Sequence, residues 1–215
     1  AMGYFLDKDY EKAINLLEKI LEQRQDFYRV YANLSFVYHE RGDLQKSVET
    51  LKKAIRLKLE NPDLFIRLGI YLQEIGNVNQ AIEILEGLIK QDPQNIDTLN
   101  FLGMGYWRQG NSEKAIEIFE RLLSLKKNFP SAYNNLGAVY LGDKKYDLAY
   151  QMFKEAIRLD PKLSGPYNGL GVVYANKGDY DNAIESWKKS ISINSNQYDA
   201  LFNLGILLVR LGRFD

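Results

Sequence analysis

The chain has 215 residues, 46% apolar and 26% charged, the proportions of a folded protein with a sizeable apolar core. Lysine plus arginine equals aspartate plus glutamate at 28 each, so no net basic field argues for nucleic acid or an anionic membrane surface. The chain has no cysteine, which excludes disulfides and thiolate metal sites. No apolar run approaches the roughly 18 residues needed to cross a bilayer, so direct membrane insertion is not expected.

At the start, Ala1-Met2 reads as a cloning scar. Residues 3–7 read as the stub of a helix, and Tyr10, Ala13, Leu17 and Ile20 as the apolar face of the next one. From Tyr28 onward the chain divides into five equal blocks, 28–61, 62–95, 96–129, 130–163 and 164–197. Each opens on a helix whose inner face carries Tyr31, Phe65, Leu99, Tyr133 or Tyr167, then the leucine row Leu34, Leu68, Leu102, Leu136 and Leu170. The residue after that leucine is small: Ser35, Gly69, Gly103, Gly137, Gly171. Glycine costs a helix interior roughly 1 kcal/mol against alanine, so its return demands a close approach by a second helix. Tyr38, Leu72, Tyr106, Tyr140 and Tyr174 complete the face.

Gly42, Gly76, Gly110 and Gly178 then end the first helix, at the left-handed position that glycine adopts without steric cost. The fourth block has Lys144 there and Gly142 two residues earlier, which predicts a somewhat different turn. A second helix follows, with Ser47, Ala81, Ala115, Ala149 and Ala183 on its face, and Leu51, Leu85, Phe119, Phe153 and Trp187 four residues on. Pro93 and Pro161 close it in two blocks. Residues 198–211 begin a further first helix through Leu201, Leu204, Gly205 and Leu208, apolar almost all round. Both ends fall inside a unit, so the chain reads as a fragment of a longer array, with part-repeats at 1–27 and 198–215.

A helix–turn–helix returning every 34 residues, in segments such as AYNNLGAVY…YDLAYQMFKEAIRLDP and PYNGLGVVYANKGDYDNAIESWKKS, resembles the tetratricopeptide repeat (TPR) family over essentially the whole length. The resemblance implies an all-α, right-handed α-solenoid whose first helices line a concave groove that holds a peptide or partner segment. On helical geometry, the positions opposite the packing face include Phe36, His39, Arg67, Ile70, Asn100, Phe101, Met104, Trp107, Arg108, Asn134, Asn135, Leu141 and Asn168, which are the candidate peptide-binding residues. Ala32 and Gly169 fall on the same side. Phe36, Ile70, Phe101, Met104, Trp107 and Leu141 are apolar where a lone amphipathic helix would be polar, as at a binding surface or between packed neighbours. Asn100, Asn134 and Asn168 recur at one repeat position, and a carboxamide can both donate to and accept from a peptide backbone. Family members that grip a terminal carboxylate use a first-helix lysine; here that position holds Ala32, Ile66, Asn100, Asn134 or Asn168, so that ligand is not expected.

His39, the sole histidine, has no partner residues for a metal. No activated nucleophile or phosphate-binding loop is marked. The sequence reads as a non-enzymatic interaction module, with no cofactor and a protein or peptide partner. Two alternatives are a self-assembling scaffold joined through its apolar ends and an array appended to a larger enzyme. No targeting signal is visible, so a cytoplasmic location is the default expectation.

Overall fold

The computed structural model describes residues 9–213; the expected stub at 3–7 and the Ala1-Met2 scar lie outside them. Twelve helices and no strand occur among the described residues. They are α1 (Tyr10–Gln23), α2 (Tyr28–Arg41), α3 (Leu44–Leu57), α4 (Pro62–Glu74), α5 (Val78–Gln91), α6 (Ile96–Arg108), α7 (Ser112–Leu125), α8 (Pro130–Gly142), α9 (Tyr146–Leu159), α10 (Ser164–Asn176), α11 (Tyr180–Ile193) and α12 (Tyr198–Leu211). This is an all-α helical repeat solenoid. The chain separates into two compact units, one ending at Gln109 and one beginning at Gly110.

Local chemistry starts many of the helices. Asp9, Asn61, Asn95, Asn111 and Asp179 each accept a hydrogen bond from a backbone N–H of the first turn. The even-numbered helices α2, α4, α8 and α10 each pack on the helix that follows, closing the hairpins.

In the first unit two apolar clusters follow one another. Ala13, Ile14, Leu17, Val30, Leu34, Val37 and Tyr38 join α1 to α2. Val48, Leu51, Ala54, Ile55, Leu64, Leu68, Tyr71, Leu72 and Ala81 join α3, α4 and α5. In the second unit Ala149, Phe153, Leu170 and Val173 join α9 to α10, and Ala183, Ile184, Trp187, Ala200 and Leu207 join α11 to α12.

The helical glycines are where the following helix comes closest. A Cβ on Gly69 would stand 3.0 Å from the Leu85 side chain, one on Gly137 2.7 Å from Phe153, and one on Gly171 2.4 Å from the Trp187 indole nitrogen. Phe153 is held from both sides, since a Cβ on Gly169 would stand 2.3 Å from its ring. Gly169 is therefore buried, although helix arithmetic sets it opposite the packing face; Ala32, likewise assigned to that side, is only 8% exposed. A first helix here touches more than its own hairpin partner, so less of its circumference stays free.

The turn after α8 differs from expectation. Lys144 adopts φ 59°, the left-handed conformation that Gly42, Gly76, Gly110 and Gly178 adopt elsewhere. Its N–H donates to the Leu141 carbonyl at 3.0 Å, and that of Lys145 to Tyr140 at 2.8 Å. The same pair closes α2, from Gly42 to His39 at 2.9 Å and from Asp43 to Tyr38 at 2.9 Å. The turn is thus the common one, and the two hydrogen bonds hold a lysine where glycine is usual.

Tyrosines at the repeated position 38, 106 and 140 reach a carboxylate on the second helix before them. Tyr38 donates to Glu18 at 3.0 Å, Tyr106 to Glu86, and Tyr140 to Glu120. Where the acid's place is taken by Lys52 or Lys188 the tyrosine is Leu72 or Leu208, whereas Tyr174 stays a tyrosine opposite Lys154 in the repeat and hydrogen-bonds with Tyr150 instead.

Candidate functional site

The candidate residues lie on the even-numbered helices. In the first unit Phe36 and His39 come from α2, Arg67 and Ile70 from α4, and Asn100, Phe101, Met104, Trp107 and Arg108 from α6. In the second unit Asn134, Asn135 and Leu141 come from α8, and Asn168 from α10.

Side chains tie these first helices to one another. Arg67 Nη1 donates to the Ala32 carbonyl at 3.3 Å, and Arg108 Nη1 to the Gln73 carbonyl at 3.1 Å. Gln73, only 5% exposed, donates from Nε2 to the Phe101 carbonyl at 2.9 Å. A Cβ on Gly105 would come within 3.3 Å of that Nε2, so the glycine admits the bond. Both arginines thus have an internal hydrogen-bond role, and Gln73, on the same side of its helix as Arg67 and Ile70, ties α4 to α6.

His39 joins α2 to α4 in a different way. Its ring stacks on Tyr71 with centroids 4.3 Å apart and planes 8° from parallel. Its Nε2 lies 2.5 Å from Glu74 Oε2 and its Nδ1 3.2 Å from Glu40 Oε1, so each ring nitrogen faces a carboxylate. Burial above all pushes the Tyr71 hydroxyl up to about 12; the Arg67 charge opposes it, and the Glu74 and Glu40 charges add to it by less. No group of three or more acidic or histidine side chains arranged to hold a metal occurs among the described residues.

Several candidates remain accessible. Phe36 is 38% and Trp107 39% exposed, while Phe101 and Met104 are half-buried. Ile70 packs on the α3–α5 cluster and Leu141 on the α9–α10 cluster.

The asparagines differ among themselves. Asn100, half-buried, belongs to the first unit, Asn134 and Asn168 to the second. Asn134 Nδ2 lies 3.5 Å from Asn135 Oδ1, and its own Oδ1 rests against α10, 3.1 Å from where a Cβ on Gly165 would stand. Asn168 Oδ1 is buried without a hydrogen-bond partner. An acceptor in that state costs about 1–3 kcal/mol unless a donor reaches it.

A model described as tetratricopeptide repeat matches residues 4–68 and 72–140, and further models of the repeat match 130–163, 152–185 and 175–212. The first of these covers more than half of the chain, which therefore belongs to the tetratricopeptide repeat family. No curated protein matches the chain. Among solved structures, TTC0263, a thermophilic TPR protein of Thermus thermophilus, is 17% identical with a TM-score of 0.75, over 85% of this chain and 99% of that one. MamA is 24% identical with a TM-score of 0.60, over 80% and 93% of the two chains. YrrB, a TPR protein with an unusual peptide-binding site, is 20% identical with a TM-score of 0.56, over 86% and 96%. Likeness at these identities shows the fold. No helix among the described residues is long and apolar enough to cross a membrane.

Proposed function

We propose that this chain is a non-enzymatic protein-interaction module that holds a peptide or an extended partner segment on the surface of its first helices, in a scaffold or adaptor role. The repeats of the array are 28–61, 62–95, 96–129, 130–163 and 164–197, flanked by the part-repeats 1–27 and 198–215. Rigid packed helices present such a surface ready-made, so the receptor loses little entropy on binding. Family membership and the peptide-binding site described for YrrB support the reading.

The observation that carries it is the pair of apolar side chains left accessible on the candidate face, Phe36 at 38% and Trp107 at 39%. Within the first unit, the exposed Phe36 and Trp107 and the half-buried Asn100 suit a ligand whose apolar side chains are covered and whose backbone is held.

Selection of a random peptide library on the wild-type chain, followed by titration of the selected peptides, tests this. Trp107→Ala should weaken them by about 1.4 kcal/mol, roughly tenfold. Selected peptides that bind the variant with unchanged affinity would contradict the reading.

A second reading, self-assembly, is favoured by α12, where Tyr198 is 74%, Phe202 67%, Ile206 53% and Val209 64% exposed. A molecular mass that rises with concentration during the same titrations would support it.

A further inference from the structure

The second helices carry a long charged side chain at one recurring position: Lys19, Lys53, Arg121, Glu155 and Lys189. In α5 that position is Gly87, where a Cβ would meet nothing within 4 Å. Seven residues earlier α1, α3 and α7 carry Lys12, Lys46 and Lys114, α9 and α11 carry the uncharged Leu148 and Asn182, and α5 carries Gln80. Relative to α3 and α7, both differences remove a cation and leave Glu83 in place.

The space lies beside a cavity of about 670 Å³ within the first unit. Phe65, Ile84 and Leu88 form its less exposed, apolar part. Glu60, Glu83 and Asp92 stand exposed around it, and no lysine, arginine or histidine lines it. Asp92 already accepts from the Gln94 N–H at 3.2 Å, but Glu60 and Glu83 form no ion pair among the described residues. The last turn of α5 adds the partial negative charge of its terminal carbonyls beside Gln91. A volume of this size is that of a ligand pocket, and an apolar floor under uncompensated carboxylates selects a ligand that is both apolar and cationic.

We propose that this cavity is a second docking site, which takes a basic, apolar peptide segment of a partner protein. An arginine or lysine of the segment sits among Glu60, Glu83 and Asp92, and an adjacent aliphatic or aromatic side chain packs on Phe65 and Ile84. The site uses the second helix α5 and is independent of the first-helix surface proposed above.

The probe is the blocked peptide acetyl-Leu-Arg-Phe-Arg-Leu-amide, with a counterpart in which glutamate replaces both arginines. Amide resonances of the isotope-labelled chain are followed while each is added to millimolar concentration. The arginine peptide should shift the amides of Ile84, Gly87 and Asp92, and the glutamate peptide should not. Glu83→Gln should weaken the interaction about three- to fivefold. Gly87→Lys, which restores the side chain found in other repeats, should abolish it while melting no lower than wild type. Trp107→Ala should leave it unchanged. The proposal is overturned if these amides do not move, if the glutamate peptide moves them equally, or if Gly87→Lys still binds.

Discussion

Replacing Lys144 by glycine should stabilise the protein. Lys144 is the only non-glycine residue with positive φ among the described residues, at 59°. A side chain in that conformation costs roughly 1–2 kcal/mol through the approach of Cβ to the following carbonyl. Glycine removes the clash but gives the unfolded chain more freedom, which offsets about 0.4–1 kcal/mol. The Lys144 side chain is exposed, and the two hydrogen bonds that close the turn come from main-chain N–H groups that glycine retains. The expected net gain is therefore about 0.5–1 kcal/mol, read as a higher denaturant midpoint at unchanged slope. Lys144→Ala serves as the control: it keeps a Cβ and removes the charge, so it should leave the midpoint near that of wild type. A glycine variant no more stable than wild type, or an alanine variant that gains as much as glycine, would refute the steric argument.

Gly171→Ala should destabilise, because its new methyl would stand 2.4 Å from a Trp187 that is itself buried; the expected loss is about 1–3 kcal/mol by thermal or chemical unfolding. Burial, with hydrogen bonds at two of the three, pushes the Tyr38, Tyr71 and Tyr174 hydroxyls up to about 12 from 10.0. The unfolded chain gives up these protons at lower pH than the folded one, so the stability they contribute is present below pH 10 and is lost as pH rises toward about 12. Unfolding followed together with phenolate absorbance should show that decline, and Tyr38→Phe should make it shallower.

What the sequence reveals and what it hides follow from how local each interaction is. The leucine row and the glycines facing Leu85, Phe153 and Trp187 are legible because a buried, close-packed position admits few residue types and the repeat states the restriction again in each block. The turn at Lys144 is not legible because residue type biases φ without dictating it, and the hydrogen bonds that decide the matter join main-chain atoms. The tyrosine–glutamate ties are legible only in part, since Leu72 and Leu208 go with Lys52 and Lys188 but Tyr174 goes with Lys154, so the repeat pattern alone does not mark the pairing. The bonds from Arg67 and Arg108 to carbonyls on the preceding first helix depend on helix spacing, which no single position encodes. Gly87 escapes notice because it lies on an outward face, where variation is ordinary. Only its contrast with five charged counterparts marks it.

The ties between neighbouring helices close short stretches of chain. Tyr38 to Glu18 spans 20 residues, Gln73 to Phe101 spans 28, and Arg67 to Ala32 spans 35. Few native contacts of this kind wait for a distant part of the polypeptide, so the entropy lost in each closure is small and the search for partners is brief. A hairpin can settle on its predecessor while later residues are still being made, because synthesis at about 5–20 residues per second is slow beside local helix pairing. Tandem helices so arranged can reach their final packing in the order in which they leave the ribosome.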